Sequence, residues 1–198
     1  LSSFQFKMKY LFFFLHSSIV FVFILFSFSS QAQLQPGNYL NAAVGIGYSF
    51  PNSDIDVSGS GFYAQGEYVH NITKWFGIRP YAGLVITSPD DNKNKQFPED
   101  FQVTTKAFFL GGKARVAAPI PLVAPYFEVG IGASMGSFKT ITPEFNIKKS
   151  GVLMHVPFSI GLALGRNHNF DVGFTYYIHD AAKQFNGAFA VGYSFPLE

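Results

Sequence analysis

From residue 33 onward, apolar side chains alternate with small or polar ones, the period of two that marks β-strands. In residues 40–50 the even positions are Leu40, Ala42, Val44, Ile46, Tyr48 and Phe50, against Asn41, Ala43, Gly45, Gly47 and Ser49. One face is wholly apolar and the other small or polar. A second strand, near 62–70, sets Phe62, Ala64, Gly66 and Tyr68 against Tyr63, Gln65 and Glu67. A third, near 76–86, sets Ile78, Ala82, Leu84 and Ile86 against Arg79, Tyr81 and Gly83. The fourth opposes Phe108, Leu110, Ala114 and Val116 to Gly111, Lys113 and Arg115. In the fifth, Phe127, Val129, Ile131, Ala133 and Met135 oppose Glu128, Gly130, Gly132 and Ser134. The sixth, 152–164, has Met154, Val156, Phe158, Ile160 and Leu162 on one side and His155, Ser159 and Gly161 on the other. The seventh sets Phe170, Val172, Phe174, Tyr176 and Ile178 against Asp171, Gly173 and Thr175. The eighth sets Phe189, Val191, Tyr193 and Phe195 against Ala188, Ala190, Gly192 and Ser194.

Alternation alone does not say which face points inward, because a soluble lipocalin-like barrel shows the same period with its apolar face inside. Three features favour the inverted arrangement. The polar face is mostly Gly, Ala and Ser, which suit a narrow interior better than a water-facing exterior. The apolar face of these strands carries no Asp, Glu, Lys or Arg, as expected where Arg or Lys at mid-bilayer costs about 2–4 kcal/mol. Aromatics gather at strand ends (Tyr48, Phe50, Phe62, Tyr68, Trp75, Phe76, Tyr193, Phe195), the places of interfacial girdles. The expected fold is all-β, an eight-stranded antiparallel up-and-down transmembrane β-barrel.

With both barrel ends on the periplasmic side, outer connections fall at 51–61, 88–101, 139–151 and 180–184, and inner ones at 71–74, 117–124 and 166–169. The polar run Asp90-Asp91-Asn92-Lys93-Asn94-Lys95 lies at an outer position. The stretch 117–124, long and apolar for an inner turn, has no account in the pattern beyond interfacial contact.

Composition agrees with this reading. Charged residues make up 13%, against roughly 25% in ordinary soluble domains, and Phe alone counts 25. No apolar run long enough for a spanning helix follows the first thirty or so residues. A net charge of +2 makes no case for nucleic acid, and Cys is absent, which excludes disulfides and thiolate metal sites.

The N-terminal segment reads as an address. Lys7 and Lys9 flank Met8, an apolar stretch follows to Phe28, and Ser30 and Ala32 stand at the two small-residue positions of a secretory cleavage site. Residues 1–32 are expected to be a signal peptide cleaved after Ala32, with Met8 as initiator and 1–7 an upstream extension. Residues 33–198 then form the barrel domain. An uncleaved anchor is the alternative, since the apolar stretch exceeds a typical signal core.

Three segments carry a family likeness: Trp75-Phe76-Gly77-Ile78-Arg79-Pro80-Tyr81-Ala82-Gly83-Leu84, Tyr126-Phe127-Glu128-Val129-Gly130-Ile131-Gly132, and Val191-Gly192-Tyr193-Ser194-Phe195. The chain resembles the small OmpA/OmpX/OmpW-like barrels, and among them the outer membrane protein β-barrel domain of Bacteroidetes-type bacteria. The resemblance implies the bacterial outer membrane as compartment. It implies outer-membrane lipids, lipopolysaccharide and the assembly machinery as partners, and no particular activity. Such families end on an alternating aromatic strand; Tyr193 and Phe195 match, whereas Pro196-Leu197-Glu198 depart from a terminal aromatic.

The candidate chemistry is sparse. Glu67, Arg79, Lys113, Arg115, Glu128 and Asp171 all fall on the inward face. In so narrow a lumen they are expected to pair into a network that braces the strands and blocks diffusion; a proton or small-ion path is the alternative. A lipid-modifying enzyme needs a nucleophile beside a base. His155 and Ser159 share a face, but four strand residues separate them by roughly 13 Å. His179-Asp180 reads as a solvated loop pair. Gly45-x-Gly47 and Gly130-x-Gly132 lack the helix and third glycine of a phosphate loop and read as packing glycines. Asn71-Ile72-Thr73 matches a glycosylation acceptor but falls in an inner turn, and the five His show no metal-ligand spacing. No cofactor is expected. The favoured function is a non-enzymatic structural or surface-binding barrel; a small-solute channel or lipid-modifying enzyme is the alternative.

Overall fold

The computed structural model of the protein describes residues 35–52, 57–90 and 101–197; the expected signal peptide and upstream extension lie outside them. Eight strands follow one another: β1 (Gly37–Pro51), β2 (Gly59–Asn71), β3 (Phe76–Pro89), β4 (Gln102–Ala117), β5 (Val123–Ile141), β6 (Asn146–Leu164), β7 (Phe170–His179) and β8 (Gln184–Pro196). Each pairs antiparallel with its neighbour in sequence, and β1 closes on β8, with Leu40 opposite Phe195 and Pro51 opposite Gln184. The result is a closed up-and-down barrel, which leaves no complete strand edge unpaired.

Burial runs opposite to that of a soluble barrel. Ile131 is 64% exposed, whereas Glu128, three residues away on β5, is 1% exposed. Val44, Leu110, Val152 and Met154 also stand outward, and Arg79, Lys113 and Arg115 are buried. An apolar exterior around a polar interior is stable only when lipid covers the outside. Aromatics mark both rims of the apolar band. Tyr48 stacks on Phe50 and Tyr176 on Phe185 at one end. At the other, Phe170, Tyr193 and Phe195 pack edge to face, and Trp75, in the turn between β2 and β3 at the same end, is exposed.

One feature of the strands differs from the sequence-based expectation. The outer connection expected at 139–151 is a four-residue turn, because β5 and β6 each extend to 19 residues. The alternation continues upward through buried Phe138 and Thr140, and ladder pairing with Ile147 and Lys148 extends the strand into a polar stretch that otherwise reads as loop. β7 pairs with β6 only from Val156 inward, so the outer half of β6 has β5 as its ladder partner. The other outer connections occupy 52–58, 90–101 and 180–183, and most of the polar run 90–95 falls outside the described residues.

The apolar inner turn after β4 has a structural reason. Its carbonyls serve the next inner turn: Gly165 N–H donates to Leu122 O at 2.9 Å, and His168 Nε2–H donates to Ile120 O at 2.9 Å. Ala117 N–H donates to Trp75 O at 2.8 Å. The three inner turns are thus laced together, while Leu122, Val123 and Trp75 stay exposed at this end of the barrel.

Candidate functional site

The lumen is filled in two polar strata. The first, toward the inner end, assembles all six of the inward charges named from the sequence. Glu67 on β2 accepts from Arg79 Nη1 at 2.8 Å and from Lys113 Nζ at 2.6 Å. Glu128 on β5 accepts from Lys113 Nζ at 2.7 Å and Arg115 Nε at 2.5 Å. Arg115 Nη1 reaches Asp171 on β7 at 2.6 Å. Three cations therefore meet three carboxylates, and the cluster is electrically neutral. Asn41 on β1 donates to Asp171 at 3.0 Å and to Ser194 on β8 at 2.9 Å, which brings the closing strands into the network.

Burial makes the geometry matter. A charged group moved out of water is costly unless its partners satisfy it, and a matched cluster in a low-dielectric interior meets that condition. The Arg115 guanidinium also lies over the Tyr126 ring, 3.5 Å from its centroid. Gly161 and Gly173 make that stacking possible: a Cβ on either would strike the Tyr126 hydroxyl. One donor is left out. Arg79 Nε is buried without a hydrogen-bond partner, 3.7 Å from Glu128 Oε1. A cavity of about 30 Å³ beside Glu67, Lys113, Glu128 and Asp171 is large enough for one or two waters.

The second stratum lies nearer the outer end, and its central residues were not singled out in the sequence as a cluster. Ser134 Oγ sits between His155 Nδ1 and His179 Nε2, 2.7 Å from each. His155 Nε2 meets the Tyr81 hydroxyl at 2.5 Å, and Asn186 Nδ2 meets His179 Nδ1 at 3.1 Å. An amide nitrogen only donates, so His179 Nδ1 accepts and its Nε2–H donates to Ser134. Ser134 then donates to His155 Nδ1, and His155 Nε2–H donates to Tyr81. The direction of every bond in this chain follows from the Asn186 amide. Tyr63 and Tyr177 bond at 2.8 Å below it, and Tyr177 donates to Gln65 at 2.6 Å, which joins the chain's neighbours to Glu67. Phe109 and Phe138 pack between the rings. Above them Ser49, Thr87, Thr105, Thr140, Gln184 and Asn186 close the outer end with mutual hydrogen bonds.

His179 corrects an expectation. It is fully buried in the lumen, whereas Asp180 alone is solvated and pairs with Lys183 at 2.8 Å. The inward alternation 171, 173, 175, 177 continues to 179, and that was the available signal. That ion pair, outside the membrane, holds the Asp180 carboxyl below its ordinary range. His155 and Ser159 are both inward but apart: Ser159 bonds Thr175 at 3.0 Å. Neither histidine has a carboxylate partner, and no group of His, Asp and Glu among the described residues has the arrangement of a metal site.

Comparison with known proteins agrees with this architecture. Residues 18–195 match the family model of the outer membrane protein β-barrel domain, so the chain belongs to that family, whose compartment is the bacterial outer membrane. Among solved structures, Neisserial surface protein A is similar at 14% identity and a TM-score of 0.59, over 81% of this chain and 97% of that one. Ail, the attachment invasion locus protein of Yersinia pestis, is 16% identical with a TM-score of 0.47, over 82% of this chain and 100% of that one. The outer membrane enzyme PagL is 13% identical with a TM-score of 0.45, over 81% and 100%. Identities this low speak to fold alone. No curated protein matches the chain.

Proposed function

We propose that this member of the outer membrane protein β-barrel domain family is a non-enzymatic structural or surface-binding protein with a plugged lumen. One observation carries the reading: the inward charges are mutually neutralised and stacked under a layer of hydrogen-bonded Tyr, Ser and His side chains packed with Phe rings. Such a lumen braces the strands and leaves specificity to the outer loops. The Ser134 hydroxyl between two imidazoles is the strongest point for an enzyme. It is fully buried inside the barrel, however, away from the outer surface where a lipid substrate lies, and neither imidazole has the orienting carboxylate that activates such a base.

Planar-bilayer recording of the purified barrel tests the proposal. The expected result is no steady conductance on the scale of an open porin. Sustained porin-like currents would overturn the plugged lumen and favour the small-solute channel. Export follows from the same reading: residues 1–32 direct secretion and are removed after Ala32, and the mass of the mature protein should correspond to a chain beginning at Gln33. Outer-membrane lipids, lipopolysaccharide and the assembly machinery are the partners this reading supplies.

A further inference from the structure

The outer halves of β4, β5 and β6 carry a cationic cluster just above the apolar band. On β4 the next outward position beyond Phe108 is Lys106. On β5, Ser137 and then Lys139 follow Met135; on β6, Ser150 and then Lys148 stand above Val152. The register places Lys139 directly opposite Lys148 and Lys106 opposite Ser137, two residues from Lys139. Three ammonium groups thus share one face of three adjacent strands.

Like charges opposite one another on a sheet face repel. Among the described residues, none of these lysines has an ion pair: every carboxylate pair lies in the lumen or joins Asp180 to Lys183. Glu144, in the turn that joins β5 to β6, makes no ion pair with them. The lysines stand two to four strand positions beyond Phe108, Met135 and Val152, where the continuous apolar run of each outward face ends, about 7–13 Å along the strand; on β5 one further outward apolar residue, Ile141, lies beyond Lys139. Strand tilt shortens that height, and long lysine stems reach downward along apolar surface. Their ammonium groups therefore lie at headgroup depth, directly over Phe108, Leu110, Met135, Val152 and Met154, all exposed. Cations at headgroup depth above an acyl-chain surface match a lipid with an anionic head.

We propose that Lys106, Lys139 and Lys148 form a binding site for a phosphate group carried by an outer-leaflet glycolipid, whose acyl chains lie on the apolar face below. The inference rests on the outer-membrane reading above and deepens it by naming the lipid chemistry and its residues. Lys149 is an internal control, since strand alternation sends it to the opposite face from Lys148.

The test uses the full mature barrel, folded and reconstituted in neutral phospholipid bilayers. These are doped with either bis-phosphorylated lipid A or the same lipid A dephosphorylated, and the lipid retained by the repurified protein is quantified by mass spectrometry. The wild type should retain the phosphorylated form preferentially. That preference should fall about fivefold for each Lys→Gln change and about a hundredfold for Lys106→Gln/Lys139→Gln/Lys148→Gln together. Lys149→Gln should leave it unchanged, and the triple Lys→Arg variant should retain it. Equal retention of both lipids by the wild type overturns the proposal, as does an undiminished preference in the triple variant. An equal loss in Lys149→Gln would also overturn it, since diffuse surface charge would then suffice. Inorganic phosphate is expected not to displace the lipid; displacement would mean a site for free anions. Heat-modifiable gel migration separates the two levels, because a wild-type chain without a compact folded form sinks the compartment reading. Should the triple variant fail to fold, the wild-type preference and the single variants decide the matter.

Discussion

Glu128→Gln isolates the energetics of the lumen. The change keeps the shape of the side chain and removes one negative charge from a cluster of three cations and three carboxylates. Glu128 accepts from Lys113 at 2.7 Å and from Arg115 at 2.5 Å, and is 1% exposed. After substitution Arg79 and Lys113 share Glu67 and Arg115 keeps Asp171, so three buried cations face two carboxylates and one positive charge is uncompensated. Breaking a buried pair from one side costs about 3–5 kcal/mol. With a urea slope of about 1–3 kcal/mol per molar, the midpoint should drop by about 2 M. Urea titration of the barrel in detergent measures this, followed by the fluorescence of Trp75, the chain's one tryptophan and exposed at the inner rim. Glu128→Gln/Lys113→Met restores neutrality and should recover part of the loss, as coupled neighbours do in a double-mutant cycle. A midpoint shift no larger than that of an ordinary surface pair, or no recovery in the double variant, would refute the argument that the matched charges stabilise the barrel.

Three further outcomes are expected. Ser134→Ala removes the hydroxyl between His155 and His179 and leaves both imidazole nitrogens unsatisfied; urea unfolding should show a loss of about 1–3 kcal/mol. Ile131→Arg places a charge on the lipid face of β5, and folding into bilayers should weaken by about 2–4 kcal/mol if that position lies near mid-depth. Arg79 and Arg115, buried in the lumen with carboxylate partners, show that the residue type alone is not at fault. Lys183→Ala should raise the Asp180 pKa back to its ordinary value in an NMR titration. The sign follows from a folded pKa held low: the pair contributes above the ordinary carboxylate range and is lost as the pH falls through the lowered pKa.

The sequence by itself determined the faces and the count. A period of two assigns every strand residue to one side, and the absence of charge on one side shows which medium it meets, because lipid penalises charge at every strand alike. The inward set of Glu67, Arg79, Lys113, Arg115, Glu128 and Asp171 was legible for the same reason. Tertiary structure decided which groups meet. Asn41 and Asp171 lie 130 positions apart and bond only because β1 closes on β8. Ser134 and His155 were visible as inward residues, but their chain to His179 and Tyr81 depends on the stagger of β3, β5, β6 and β7 around the barrel. The lengths of β5 and β6 also escaped the pattern. Lysines at 139, 148 and 149 read as loop residues locally, while ladder pairing beyond the membrane made them strand and set Lys139 opposite Lys148. Periodicity is a local property carried by each residue's side of the pleat; partners and strand ends depend on register and closure, which no single strand contains.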